Sequence, residues 1–183
     1  MPFIPGDAFD DAFLKASPPA VAVPSDPAPV LSELTTLTPL SGRLAAIHAS
    51  SFFHLFSEEK QLDMAKRLAS LLSSEPGSMI FGGHVGLPEK GHRDRKNSHQ
   101  IFMFCHSPES WKDLWENQVF APGQVKVEAI LKDSVRISRP NEKNHFLVWS
   151  VTRLWCVHHD IYTYAGLNSR RLAERSFQYG RHR

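Results

Sequence analysis

From Leu44 to Leu154, short apolar runs alternate with two amphipathic stretches, and each stretch carries its own start signal. Such a chain needs a layered α/β arrangement in which strands and helices bury each other's apolar faces. "LAAIHAS" (44–50) is short and apolar and suits a buried strand, although its periodicity also allows a helix. "SFFHLF" (51–56) reads as a loop. Ser57 is an N-cap, and Glu58 and Glu59 occupy the first turn, where the helix dipole favours acids. Leu62, Ala65, Ala69 and Leu72 fall on one helical face, and Pro76 and Gly77 stop that helix. "SMIFGGHVG" (78–86) reads as a second buried strand whose end is loosened by Gly82, Gly83 and Gly86. Residues 87–100 are polar and read as a loop, with a short apolar segment beyond them at 101–106. Ser107 and Pro108 open a second helix that carries Trp111, Leu114 and Trp115 on one face. "VKVEAIL" (125–131) and "HFLVWSVTRL" (145–154) read as two strands that pair antiparallel.

The first forty residues are of a different kind. "PFIPGDAFDDAFL" (2–14) reads as a short strand running into a turn at Gly6-Asp7. Residues 17–41 are rich in Pro and Ala and read as an extended surface insertion, with one weak helical turn before Pro39. The predicted fold is therefore α/β: a parallel sheet with helices on both faces and a closing antiparallel strand. In open sheets of this kind, ligands bind beyond the carboxyl ends of the strands. That rule directs attention to the loops at 6–9, 48–56 and 82–91.

Composition removes several classes. A net charge of +2 makes no claim on nucleic acid or membrane. The two cysteines give no disulfide framework, so the expected compartment is reducing and cytoplasmic. The start lacks the pattern of a signal peptide, and no apolar run approaches the roughly 20 residues that span a bilayer.

Taken in order, "FIPGDAFDDAFL", "IHASSFFHLF", "AKRLASLLSSEPGSMIFGGHVG", "SPESWKDLWE" and "FLVWSVTRL" resemble class I S-adenosylmethionine-dependent methyltransferases. The branch is that of fungal secondary metabolism, including carboxyl methyltransferases of meroterpenoid pathways. The resemblance covers residues 2 to 154 and implies a Rossmann-like sheet that begins at the family's third strand and ends at its seventh, antiparallel one. The glycine-rich turn after the family's first strand and the acid after its second have no counterpart here. The resemblance thus implies a partial methyltransferase domain over 1–154, followed by a basic tail at 155–183.

The resemblance also implies roles. S-adenosyl-L-methionine is the expected cofactor. Asp7 corresponds to the acid that accepts a hydrogen bond from the adenine amino group, with Ala8 and Phe9 flanking the base. The alternative is that Gly6-Asp7 is only a turn. His48, Ala49 and Ser50 lie beside the cofactor, or are simply a small-residue strand end. Phe52, Phe53 and His54 form the floor of an acceptor pocket, with His54 as base or orienting group. The alternative is that the phenylalanines pack under the following helix. His84 faces the acceptor, or belongs to a flexible loop.

The run "EKGHRDRK" (89–96) is basic, and such runs are most often a solvated face. Cys156, His158, His159 and Asp160 are too close in sequence for a zinc site, so no metal is expected. The tail arginines Arg170, Arg171, Arg175, Arg181 and Arg183 define no nucleic-acid surface. A nicotinamide enzyme would need a Gly-x-Gly-x-x-Gly turn, which this sequence lacks. Two expectations follow. One is methyl transfer to an oxygen, such as a carboxylate, of a small secondary metabolite. The other is a catalytically inactive remnant that binds or dimerises through exposed sheet edges.

Overall fold

The computed structural model describes residues 3–93, 103–134 and 144–155. In chain order its elements are β1 (Ala46–His48), α1 (Glu58–Leu71), β2 (Met79–Gly86), β3 (Gly91–Arg93), β4 (Met103–Cys105), α2 (Pro108–Asp113), β5 (Val125–Ser134) and β6 (Asn144–Arg153). A π-helical stretch, Leu114–Val119, continues α2. The main sheet has the order β1-β2-β6-β5, and β3 pairs with β4 in a separate two-stranded ladder.

The helix starts form as the sequence predicts. Ser57 accepts a hydrogen bond from the Lys60 amide and opens α1. Ser107 and Ser110 form a reciprocal capping box, with Pro108 at the first turn of α2. Both caps satisfy amides that the helix itself leaves unpaired.

The pairing of strands departs from the parallel sheet expected. In the main sheet only β1 and β2 pair in parallel, while β6 runs antiparallel to both of its neighbours, β2 and β5. The closing strand β6 inserts between β2 and β5 and contributes two of the three strand contacts. The α/β class expected from sequence is present, and among the described residues both helices lie on one face of the sheet. Ile80, Val151 and Val127 stand side by side across β2, β6 and β5, and α1 and α2 both pack on this side. Met64, Ala65 and Ala69 of α1 meet Trp111 of α2 and Trp115 of the following turn in one core. Each deep tryptophan removes roughly 200 Å² from water, worth on the order of 5 kcal/mol before entropy is charged against it. No described helix lies on the opposite face. There Phe81 is 37% and Ile130 is 54% exposed.

Residues 3–14 form turns, not the predicted strand. A strand exists through its partner, and no described strand pairs with this segment. The amides of Phe9 and Ala12 are instead taken by the carboxylates of Asp7 and Asp10. Leu14 is fully buried, and Arg67 of α1 binds its carbonyl and the Asp11 carboxylate. The proline-rich insertion that follows touches the body through Ala20, whose carbonyl accepts from Arg153, and through the Asp26–Arg43 ion pair. Its two turns, Leu31–Glu33 and Thr38–Leu40, are single 3-10 turns.

Two further corrections concern the loops. His84 lies inside β2, since the strand continues through its glycines to Gly86. A Cβ at position 83 would lie 2.5 Å from the Phe146 ring, so glycine there lets the ring cover the strand backbone. The segment read as a loop after β2 holds β3. Cys156, His158, His159, Asp160 and the tail arginines lie outside the described residues. No helix among the described residues is long and apolar enough to cross a membrane.

Candidate functional site

The stretch after β1 is held flat against β2. The Ala49 amide donates to the Phe81 carbonyl at 2.9 Å, and the Ser51 amide donates to the Gly83 carbonyl at 2.7 Å. A Cβ at position 82 would come within 2.0 Å of the Ala49 carbonyl oxygen, so this path requires glycine at 82. Ser51 then adopts a φ of 53°, a left-handed conformation rare for a side chain of any size, and turns the chain away from the sheet.

The turn sorts the residues that follow. Phe53 is fully buried and meets Trp111, Trp115 and Trp149 edge-on. Phe52 stays at the surface and lines a cleft of about 340 Å³ together with Ile47, His48, Ala49, Ser50 and Leu68. This cleft lies at the carboxyl end of the parallel strand β1, the position the fold favours for ligands. Ile47 and His48 belong to opposite faces of β1, so the cleft wraps the free edge of that strand. Inside it, Ser50 Oγ and His48 Nε2 are 2.9 Å apart. The His48 ring also rests on Phe81, with centroids 5.1 Å apart.

The Asp7 turn reaches the same region through aromatic rings. Phe9 meets Phe56 at 5.0 Å, and Phe56 meets Phe52 at 5.1 Å, both edge-on. Lys60 holds its ammonium 5.1 Å from the Phe9 ring. One oxygen of Asp7 is used by the Phe9 amide. Ala8 and Phe9 pack against the main core.

The other two histidines named from sequence are part of the interior. His84 is 1% exposed, and its Nδ1 accepts a hydrogen bond from the Trp149 indole at 3.0 Å. Burial, helped by His54 and His106, pushes its pKa down to about 3, so the ring is neutral with its proton on Nε2. His54 is half-buried and stacks on His84 at 6.2 Å, outside the cleft lining. A third imidazole, His106, is lowered to about 4 by burial; Glu58 pulls it the other way and Lys90 adds to the lowering. Its Nδ1 meets Ser110 Oγ at 2.9 Å.

Of the residues singled out from sequence, His48, Ala49, Ser50 and Phe52 thus stand together. Asp7, Ala8 and Phe9 lie two rings away, and Phe53, His54 and His84 belong to the packed centre. Sequence reasoning missed Ile47 and Leu68 as cleft walls, although Leu68 was visible as a large apolar residue on α1. It also missed Gln61, fully buried, whose amide donates to the carbonyls of Phe56 and Phe104 and ties the turn to β4. A polar residue in a polar-looking first turn gives no local sign of that role.

Comparison with known proteins supplies the relation that the geometry invites. No protein-family model matches the chain. The O-methyltransferase phiE of Fungal sp. (strain ATCC 74256) is 33% identical over 110 residues, 60% of this chain and 34% of phiE. The Asnovolin E/Chermesin D methyltransferase nvfJ of Aspergillus novofumigatus is 29% identical over 118 residues, 64% of this chain and 42% of nvfJ. The methyltransferase trt5 of Aspergillus terreus is 30% identical over 58% of this chain and 36% of trt5. The chain therefore spans between 34% and 42% of the length of these curated relatives. A solved SAM-dependent methyltransferase from Methanosarcina mazei overlaps 63% of this chain and 62% of its own, at 11% identity and a TM-score of 0.43, too slight an overlap to add to the sequence relation. Over the matched stretch, the chain is related to fungal methyltransferases.

Proposed function

We propose that this chain contributes the acceptor side of an S-adenosylmethionine-dependent methyltransferase that methylates an oxygen of a small metabolite. One observation carries the reading. His48, Ala49, Ser50 and Phe52, assigned to a methyl-transfer site by resemblance, line a single cleft at the carboxyl end of β1. The residues fit such a ligand in kind. The second oxygen of Asp7 is an acceptor for an amino group, and Ile47, Phe52 and Leu68 form an apolar wall. A cleft of about 340 Å³ also falls within the range of small-molecule sites, about 300–1,000 Å³.

S-adenosylmethionine, when bound, supplies a sulfonium methyl group open to in-line displacement. The protein's share of such a reaction is to hold both reactants at attack distance and to exclude water. The hydrogen bonds that fix Ala49 and Ser51 on β2 supply rigidity, and Ile47, Phe52 and Leu68 offer an apolar wall. Calorimetric titration of S-adenosylhomocysteine into the 183-residue chain tests the reading. Saturable heat at micromolar ligand supports it. A folded chain that gives no heat at millimolar ligand removes it.

A second reading rests on the sheet face and the β1 edge that no described element covers. A sheet face with Phe81 and Ile130 exposed suits a non-catalytic module that binds a partner or a second copy of itself. Sedimentation of the ligand-free chain separates the two readings. A stable oligomer with no affinity for S-adenosylhomocysteine favours the second.

A further inference from the structure

The structure redistributes the histidines. Sequence reading offers His54 as the base, yet His54 stacks on His84 outside the cleft, and His84 is sealed in the core. The cleft has one titratable side chain in its lining, His48, and it is exposed. The other lining residues, Ile47, Ala49, Ser50, Phe52 and Leu68, carry no charge, and neither does Phe81, which packs on the His48 ring from β2. Ser50 holds the ring at Nε2, and Nδ1 takes no hydrogen bond from any described residue.

We propose that His48, positioned by Ser50, is the proton acceptor for a phenolic or enolic hydroxyl bound in this cleft, and that a weakly acidic hydroxyl is therefore the acceptor class. The assignment deepens the methyl-transfer reading and rests on it for the identity of the donor. In the tautomer whose Nε2–H donates to Ser50 Oγ, the lone pair stands on Nδ1. In the transfer step the acceptor's O–H bond breaks, and its proton goes to Nδ1. The oxygen's electron pair forms the new O–C bond, the C–S bond breaks, and its pair returns to sulfur, which becomes a neutral thioether. Exposure of the ring lets the proton leave to solvent afterwards. A carboxylate acceptor, already ionised, would have no use for this arrangement. The pinned backbone of Ala49 and Ser51 fixes the two side chains relative to the cleft walls.

The test uses 4-nitrophenol, whose phenolate is yellow and whose phenol is colourless. At a pH below the phenol's own ionisation, the 183-residue chain is expected to bind it and turn it yellow. H48Q is expected to abolish the colour without lowering the melting temperature, because the side chain is exposed. S50A is expected to weaken the colour several-fold, and S50T to restore it, which a merely structural role for Ser50 would not do. With S-adenosylmethionine present, H48Q is expected to lower kcat for the phenol by about 10²-fold. Equal colour in H48Q, a bound but colourless phenol, absence of phenol binding, or transfer to benzoate alone would each overturn the assignment. S-adenosylhomocysteine binding is read separately by calorimetry. If that fails while the His48-dependent colour persists, the base stands and methyl transfer by this chain falls.

Discussion

The two faces of the sheet are made by alternate residues of the same strands, yet they have opposite fates. On one face Leu147, Trp149 and Val151 of β6 are at most 3% exposed under α1, α2 and the aromatic cluster. On the other, Phe81 of β2 and Ile130 of β5 are more than a third exposed, and His48 stands beside Phe81. The covered face has apolar residues from both helices and from the strands of the main sheet, and His84 and His106 are buried uncharged on that side. The open face keeps its histidine in contact with solvent. Burial and exposure are thus divided between alternate positions of the same strands, because successive side chains leave a strand on opposite sides.

That division can be broken from the covered side first, by acid. In the unfolded chain, His84 and His106 take up protons as the pH falls through about 6.5, whereas in the folded chain they stay neutral down to about 3 and about 4. Within that window the unfolded state holds more protons, so the stabilisation is full above pH 6.5 and drains away as the pH falls. The slope is roughly 1.4 kcal/mol per pH unit for each ring, or on the order of 5 kcal/mol over two units for both. Urea denaturation at stepped pH measures it, and a stability that is flat between about pH 7 and 5 would show that these rings are not held neutral.

Trp149→Ala comes next. It removes the ring against which Phe53, Trp111 and Trp115 pack and takes the hydrogen-bond donor from His84. The expected cost is about 3–5 kcal/mol, seen as a shift of the denaturation midpoint. A loss below about 1 kcal/mol would mean that the aromatic centre repacks freely. Gly82→Ala acts at the seam between the faces. Its methyl group meets the Ala49 carbonyl, so the strand end must move, at about 1–3 kcal/mol, and the cleft should lose its ligand. Unchanged S-adenosylhomocysteine or 4-nitrophenol binding in this variant would detach the cleft from the Ala49–Ser51 path.

The smallest expected effect is on the open face. Ile130→Lys should leave monomer stability within about 0.5 kcal/mol, since the side chain is already half in water. Sedimentation of this variant asks whether the open face also binds copies of the chain. If the wild type self-associates and the lysine variant does so equally, the contact lies elsewhere, with the edge of β1 next to test.

Much of this arrangement was legible from sequence. Ser57 and Ser107 mark the helix starts because a cap needs only a hydroxyl and the three amides that follow it. The strands at 46–48, 125–134 and 144–153 and the core roles of Trp111 and Trp115 follow from apolar period alone. These features are local, and their energetics close within one or two turns of chain. The likeness to fungal methyltransferases was legible for the same reason, being carried by contiguous stretches.

Only the tertiary structure decided the rest. It placed β6 between β2 and β5, put both helices on one side, and left residues 3–14 as turns. It drew His84 inward through the bond to Trp149, 65 residues away, while His48 stayed in the cleft with Ser50. Gly82 gave the same cue as Gly83, yet one makes room for the Ala49 carbonyl and the other for the Phe146 ring. Such outcomes depend on which distant groups arrive at the same place. The local sequence specifies what each residue can bond or bury, and the packed whole selects the partner it actually meets.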